Sequence, residues 1–170
     1  MSRLEFGPEN FFATVYNIVR SGTPLGKIEC SSIREQATIT IDRATYFASG
    51  EGIVRGTFHL EANCGRVATA EKPSVFRRLF IVQVGPKSYT LKAVSTFSRA
   101  FVLVEGESQI GFIAPNGFFS GKSAANLPDN LAPEIKTFLI WLVIIDRRRD
   151  GFGFRISLPR SPRRHLDRQA

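Results

Sequence analysis

The groups in this chain that could do chemistry are mostly cations, and they come in runs. Glu71-Lys72-Pro73-Ser74-Val75-Phe76-Arg77-Arg78 is the densest grouping that could meet an anion. Ser74 is placed to cap a short helical turn, whose unpaired backbone N–H groups would, with Lys72, Arg77 and Arg78, favour a phosphate. The competing reading of the same segment is a solvated connector between strands. Arg147, Arg148 and Arg149 form a second run. They are candidate anion ligands, or else structural cations opposing the negative end of a helix, with Asp146 and Asp150 partly neutralising them. The third run is Arg160, Arg163 and Arg164, in residues 159–170, where Pro159 and Pro162 interrupt a stretch with almost nothing apolar except Leu166. Such a composition cannot bury a core, so it reads as a disordered basic tail. Each of its arginines would add about 1 kcal/mol at an anionic membrane, would bind RNA or DNA nonspecifically, or would serve solubility alone.

Other chemistry is poorly supplied. His59 and His165 are the only histidines and lie far apart, so neither a histidine pair nor a Ser-His-Asp set can be assembled, and His59 reads as an ordinary strand residue. Cys30 and Cys64 are too few for a disulfide scaffold or a zinc site and are expected to be reduced and half-buried. Gly50-Glu51-Gly52 and Gly151-Phe152-Gly153 lack the further glycine of a dinucleotide loop and are read as turns. Phe118 and Phe119 read as rim packing, or alternatively as an exposed aromatic tip. No catalytic residue, metal ligand or cofactor is therefore assigned, and the expected function is non-enzymatic. With 23 Lys+Arg against 15 Asp+Glu the formal charge is +8 and the pI about 10.1, which directs attention to anionic partners. The first residues contain Arg3, Glu5 and Glu9 and show no signal-peptide core, so the expected location is cytoplasmic, with peripheral attachment at the inner membrane face.

The elements that must position these groups are mainly strands. From Lys27 onward Gly, Pro, Asn and Ser cut the chain into short runs rich in Val, Ile, Thr, Phe and Tyr, the spacing of an all-β sandwich or barrel. Thr38-Ile39-Thr40-Ile41 alternates strictly, and Phe58 and Leu60 share one face of their run while Thr57, His59 and Glu61 share the other. Gly85-Pro86-Lys87-Ser88 and Glu105-Gly106-Glu107-Ser108 have hairpin length. The opening stretch is ambiguous. Phe11, Phe12, Val15, Tyr16 and Val19 fall at helical spacing, yet 15–19 is β-branched and aromatic, and a strand entering a hairpin is preferred. Roughly ten to twelve strands result, more than an ordinary open sheet holds, which implies closure or two sheets.

Residues 131–149, LAPEIKTFLIWLVIIDRRR, read instead as a helix, with Asp129 or Asn130 as cap and Pro133 in the first turn. Phe138, Leu139, Ile140, Trp141, Leu142, Val143, Ile144 and Ile145 are consecutive and cover every side of the cylinder, so the helix must be enclosed. A membrane span needs about 20 apolar residues, and the apolar part here would reach only about 22 Å, so protein is the expected enclosure. A helix about 10 to 12 Å across needs a barrel wider than eight strands. The expected fold is therefore mainly β: a closed antiparallel barrel around a buried C-terminal helix whose Phe138, Trp141, Leu142 and Ile145 form the core. The domain is expected over 1–158 and the tail over 159–170.

That arrangement, in GTFHLEANCGRVATAEKPSVFRRLFIVQVGPKSYTLKAVSTFSRAFVLVEGESQIGFIA followed by LPDNLAPEIKTFLIWLVIIDRRR, resembles the tubby C-terminal-like superfamily, which includes the tubby proteins, the phospholipid scramblases and the LURP-one-related proteins. The likeness covers roughly residues 12–149 and includes the Gly-x-x-Ala-x-Ala turn from Gly65 to Ala70. It implies a closed antiparallel barrel of about twelve strands threaded by the helix. It also implies affinity for acidic membranes, since tubby proteins bind phosphoinositides and scramblases act at membranes. The leading functional expectation is a barrel that docks on anionic or phosphorylated lipid headgroups. The alternatives are a nucleic-acid-binding protein, for which no helix-turn-helix, zinc finger or ribonucleoprotein motif is found, and an interaction scaffold with no ligand.

Overall fold

A computed structural model describes residues 1–9, 14–51, 56–74, 76–117 and 121–156, with side chains as far as Arg149. The strands are β1 (Ser2–Pro8), β2 (Val15–Arg20), β3 (Thr23–Cys30), β4 (Gln36–Ile41), β5 (Ala44–Glu51) and β6 (Gly56–Ala62). They continue as β7 (Gly65–Lys72), β8 (Leu79–Val84), β9 (Lys87–Ala93), β10 (Phe101–Glu105), β11 (Ser108–Pro115) and β12 (Ser123–Leu127), followed by the helix α1 (Pro133–Ile156). Each strand pairs antiparallel with its neighbours in sequence, and β1 pairs with β12 to close the barrel, in a register running from Ser2 opposite Leu127 to Phe6 opposite Ser123. No helix among the described residues is long and apolar enough to cross a membrane.

Period-two alternation sends one set of side chains into the lumen. Ala37, Ile39 and Ile41 of β4, Phe58 and Leu60 of β6, Phe80 and Val82 of β8, and Phe101 and Leu103 of β10 are all buried. Strands of this number leave a lumen too wide for their own side chains to fill. The helix fills it. Every residue from Ile135 to Asp146 is buried, so all faces of the cylinder are covered, as its unbroken apolar stretch requires. Trp141 lies at the centre, stacked on Phe138 with centroids 5.8 Å apart and edge-on to Phe58 at 5.9 Å, and Phe58 is in turn edge-on to Phe80 at 5.6 Å. Gly50 and Gly56 make room for this cluster: a Cβ on either would come within 2.8 and 2.7 Å of the Phe58 ring.

The ambiguous opening stretch is a strand, β2, entering a two-residue hairpin at Ser21 and Gly22, both with positive φ (51° and 81°), the geometry that matches the twist of the flanking strands. Three expectations need correction. The helix starts at Pro133 rather than at Leu131, with proline in its favoured first position, and Asp129 does not cap it but accepts a hydrogen bond from the Met1 ammonium. That contact holds the Asp129 carboxyl below its ordinary range. Neither glycine pair is read correctly as a turn: Gly50 and Glu51 end strand β5, paired with Phe58 and Thr57, and the helix continues through Gly151 and Gly153 to Ile156, because an interior glycine costs only about 1 kcal/mol and no proline intervenes. The cysteines are not both half-buried. Cys30 is buried at the end of β3, and Cys64 is exposed in the β6–β7 turn. Phe11, Phe12, Gly52, Phe118, Phe119 and the tail residues Arg160, Arg163 and Arg164 lie outside the described residues.

Two measurements check this core. Trp141 is the sole tryptophan and fully buried, so native emission should be blue-shifted and resist iodide, and Phe58→Ala should lower stability by about 3–5 kcal/mol in urea melts. Ready quenching of the native protein by iodide would show that the helix is not enclosed. Burial pushes the Cys30 thiol up, with Arg148 offsetting part of the effect, so a disulfide reagent at neutral pH should titrate one thiol, Cys64, in the native protein and both after unfolding.

Candidate functional site

In an up-and-down barrel, alternate connections lie at opposite ends. The β2–β3, β4–β5, β6–β7, β8–β9 and β10–β11 turns sit at the mouth where α1 goes in, here the lower mouth. The longer connections, including residues 31–35, 73–78 and 94–100, sit at the upper mouth, where α1 comes out. Contacts from the emerging helix to these connections fix the assignment. Arg149 reaches Glu35, Arg148 reaches Ser31, and Arg147 reaches Arg99.

Asp146 ends the apolar stretch of α1 and is 1% exposed, so its charge must be compensated. Lys72 Nζ donates to its Oδ1 at 2.6 Å and Arg78 Nε to its Oδ2 at 2.7 Å. Lys72 is itself buried, over the Phe80 ring at 5.1 Å. Arg78 Nη1 donates further to the Thr96 and Ser98 carbonyls at 3.2 and 2.7 Å, and its guanidinium lies 5.2 Å from the Phe101 centroid. The helix, β7 and the two neighbouring connections are thus tied through one carboxylate.

The next three helix residues radiate, because consecutive positions on an α-helix differ by about 100°. Arg147 Nη2 donates to the Arg99 carbonyl at 2.7 Å and Nη1 to Ser123 Oγ at 2.9 Å. Arg148 Nη1 donates to the Ser31 carbonyl at 3.3 Å, with its guanidinium 5.9 Å from the Tyr16 ring. Arg149 grips Glu35 through two hydrogen bonds of 2.6 Å and lies 5.4 Å from the Phe58 ring. These arginines are spokes between helix and wall. They do not oppose a helix terminus, since α1 runs on to Ile156. The mouth is rich in positive charge even so: burial, then Arg99 and Arg78, push the Arg147 guanidinium down to about 10. An anion placed there would relieve that repulsion.

The predicted basic turn is rearranged. Ser74 Oγ does accept a hydrogen bond from the Phe76 N–H at 3.2 Å, but no helical turn follows among the described residues of 73–78. Lys72 and Arg78 face inward to Asp146, while Arg77 is exposed. The residues missed in the sequence are Arg34 and Arg99, exposed in two other connections of the same mouth, and Glu35. A usable signal existed: Ser31-Ser32-Ile33-Arg34, Ser74-Val75-Phe76-Arg77 and Ser95-Thr96-Phe97-Ser98-Arg99 repeat one order of small polar, apolar and arginine residues. Phe138, Trp141, Leu142 and Ile145 are all in the core. His59 is buried on β6, with no hydrogen-bond partner at Nδ1 among the described residues, which also hold no cluster of three or more His, Cys, Asp or Glu placed to bind a metal.

Comparison of the chain with protein-family models, with curated proteins and with solved structures finds no match. The likeness to the tubby-like superfamily therefore rests on the sequence pattern alone.

Asp146→Asn should cost about 3–5 kcal/mol, because it strands the buried Lys72 charge, and adding Lys72→Met should recover part of the loss. Urea melts of the two single variants and the double variant measure the coupling. An Asp146→Asn midpoint equal to wild type would remove the carboxylate from its structural role.

Proposed function

We propose that the protein docks on anionic membrane lipids through the upper mouth of the barrel, without catalysis. The observation that carries this reading is the division of labour among the cations there. Lys72, Arg78, Arg147, Arg148 and Arg149 are engaged with Asp146, Glu35, Ser123 and backbone carbonyls, whereas Arg34, Arg77 and Arg99 are exposed in three separate connections of the same mouth. The inner set holds the outer set in place and adds to the positive field that an anionic surface would meet. The finer reading, a phosphorylated headgroup held between connections, is the one the tubby-like resemblance favours.

Each exposed arginine contributes about 1 kcal/mol near an anionic bilayer, so replacing Arg34, Arg77 and Arg99 together by Gln should weaken binding roughly a hundredfold. The probes are vesicles of phosphatidylcholine alone, vesicles of phosphatidylcholine with phosphatidylserine, and duplex DNA, each at low and at physiological salt. Wild type should sediment with the anionic vesicles only, and less at higher salt. A control removes equal charge from the lower mouth: Arg43→Gln, Arg66→Gln and Lys87→Gln should change binding little. If the control loses as much as the upper-mouth variant, the charge acts as a diffuse cloud and the docking reading fails. If duplex DNA outcompetes the anionic vesicles at the same salt, the partner is nucleic acid.

A further inference from the structure

Three large apolar side chains stand almost wholly in water. Ile33 is 95% exposed, Phe76 91% and Phe97 96%. No other large hydrophobic residue in the described chain approaches these values: Met1 is 73% exposed, Val94 61%, and Phe47 and Phe112, on the outer faces of strands, are less exposed still. Apolar residues scattered singly over a surface need no explanation. These are not scattered. All three lie in connections of the upper mouth, together with Val94, and each is followed within two positions by an exposed arginine: Ile33 by Arg34, Phe76 by Arg77, Phe97 by Arg99. The turns of the lower mouth are Ser21-Gly22, Asp42-Arg43, Asn63-Cys64, Gly85-Pro86 and Gly106-Glu107, and contain no large apolar side chain.

Topology sets how the three are spread. In a closed ring of twelve strands taken in order, the β3–β4 and β9–β10 connections lie on opposite sides, with β7–β8 between them. Residues so placed do not line a groove, which would need neighbouring elements. Three projections spread around the rim can be met together only by an occupant that reaches across the whole mouth, and an extended surface does so without entering a groove. The arginines set its charge as negative. Apolar tips flanked by arginines match the boundary of an anionic bilayer, where the apolar group enters the acyl region and the guanidinium stays at the phosphates.

From this we infer that Ile33, Phe76 and Phe97 insert into the headgroup–acyl boundary of an anionic bilayer, standing the barrel end-on with its upper mouth against the membrane. The inference rests on the docking reading above and deepens it, since charge alone would hold the protein to the surface without penetration or fixed orientation. Insertion makes part of the affinity independent of salt.

The test uses the full chain. Ile33→Ser, Phe76→Ser and Phe97→Ser remove only exposed groups, so the triple variant should melt as wild type does. On phosphatidylcholine–phosphatidylserine vesicles at screening salt, wild type should retain binding that the triple variant loses, by roughly tenfold for each side chain. Phe97→Trp reports penetration directly: its added emission should shift to the blue on these vesicles and be quenched by brominated phosphatidylcholine, while the buried Trp141 of wild type is not. If wild type binds the anionic vesicles but the triple variant binds equally well and Phe97→Trp is not quenched, insertion is wrong and electrostatic docking stands. If wild type does not bind these vesicles at all, both fall. If sedimentation shows a wild-type dimer that the triple variant dissociates, the occupant is a second copy of the chain and the inference is overturned.

Discussion

A helix that is apolar on every side cannot rest against a sheet; it has to be surrounded. That requirement organises this molecule. From Ile135 to Asp146 every residue of α1 is buried, and a single layer of strands achieves this only by closing on itself. Closure in turn needs a circumference wide enough for a helix about 10 to 12 Å across, which eight strands do not supply and twelve do. The wall then adjusts to its contents. Glycines at positions 50 and 56 give the Phe58 ring space to meet Trp141, and the inward residues of β4, β6, β8 and β10 complete the packing. Strand pairing and helix burial are therefore one cooperative event, since neither the open sheet nor the bare helix hides its apolar surface alone.

Where the apolar stretch ends, the helix changes character within one turn. Asp146 is the boundary: placed deep enough to be dry, it draws Lys72 and Arg78 inward from β7 and the connection after it. Arg147, Arg148 and Arg149 follow at about 100° intervals and anchor to different parts of the wall. The mouth is thus built from the helix outward, with its long connections tethered at their bases and their tips left in solvent. The lower mouth has no such freedom, because a two-residue turn such as Ser21-Gly22, both at positive φ, is dictated by the twist of its strands.

Much of this was legible in the sequence, and what was not has a common cause. The buried helix, the alternating strands, a strand over 15–19 entering a hairpin, and closure itself followed from periodicity and length. The closing strand Ser2–Pro8 was readable but overlooked: Leu4 and Phe6 are buried while Arg3 and Glu5 alternate with them as surface residues joined at 3.3 Å. The fate of the cations was another matter. Lys72, Arg77 and Arg78 look equivalent in sequence, yet Asp146, far along the chain, captures two of them and leaves the third. Similarly, Arg149 pairs with Glu35 across the width of the sequence. Local pattern carries no information about which charge a distant carboxylate will claim. A carboxylate at the end of an unbroken apolar run does carry a warning, because it has to find partners when buried.

The separation of buried from exposed cations also constrains how such a mouth can change. Substitutions at Lys72, Arg78 or Arg149 disturb the tie between helix and wall, so any loss of binding they cause is mixed with loss of fold. Arg34, Arg77 and Arg99, with Ile33, Phe76 and Phe97 beside them, contribute nothing to the core. An isoleucine and two phenylalanines kept in water are a solubility liability with no return in folding stability. Polar residues would serve these connections equally well as links between strands, as Ser95, Thr96 and Ser98 already do beside Phe97. Apolar tips at this end and bare turns at the other therefore set the exposed connections of the upper mouth apart from the framework that presents them.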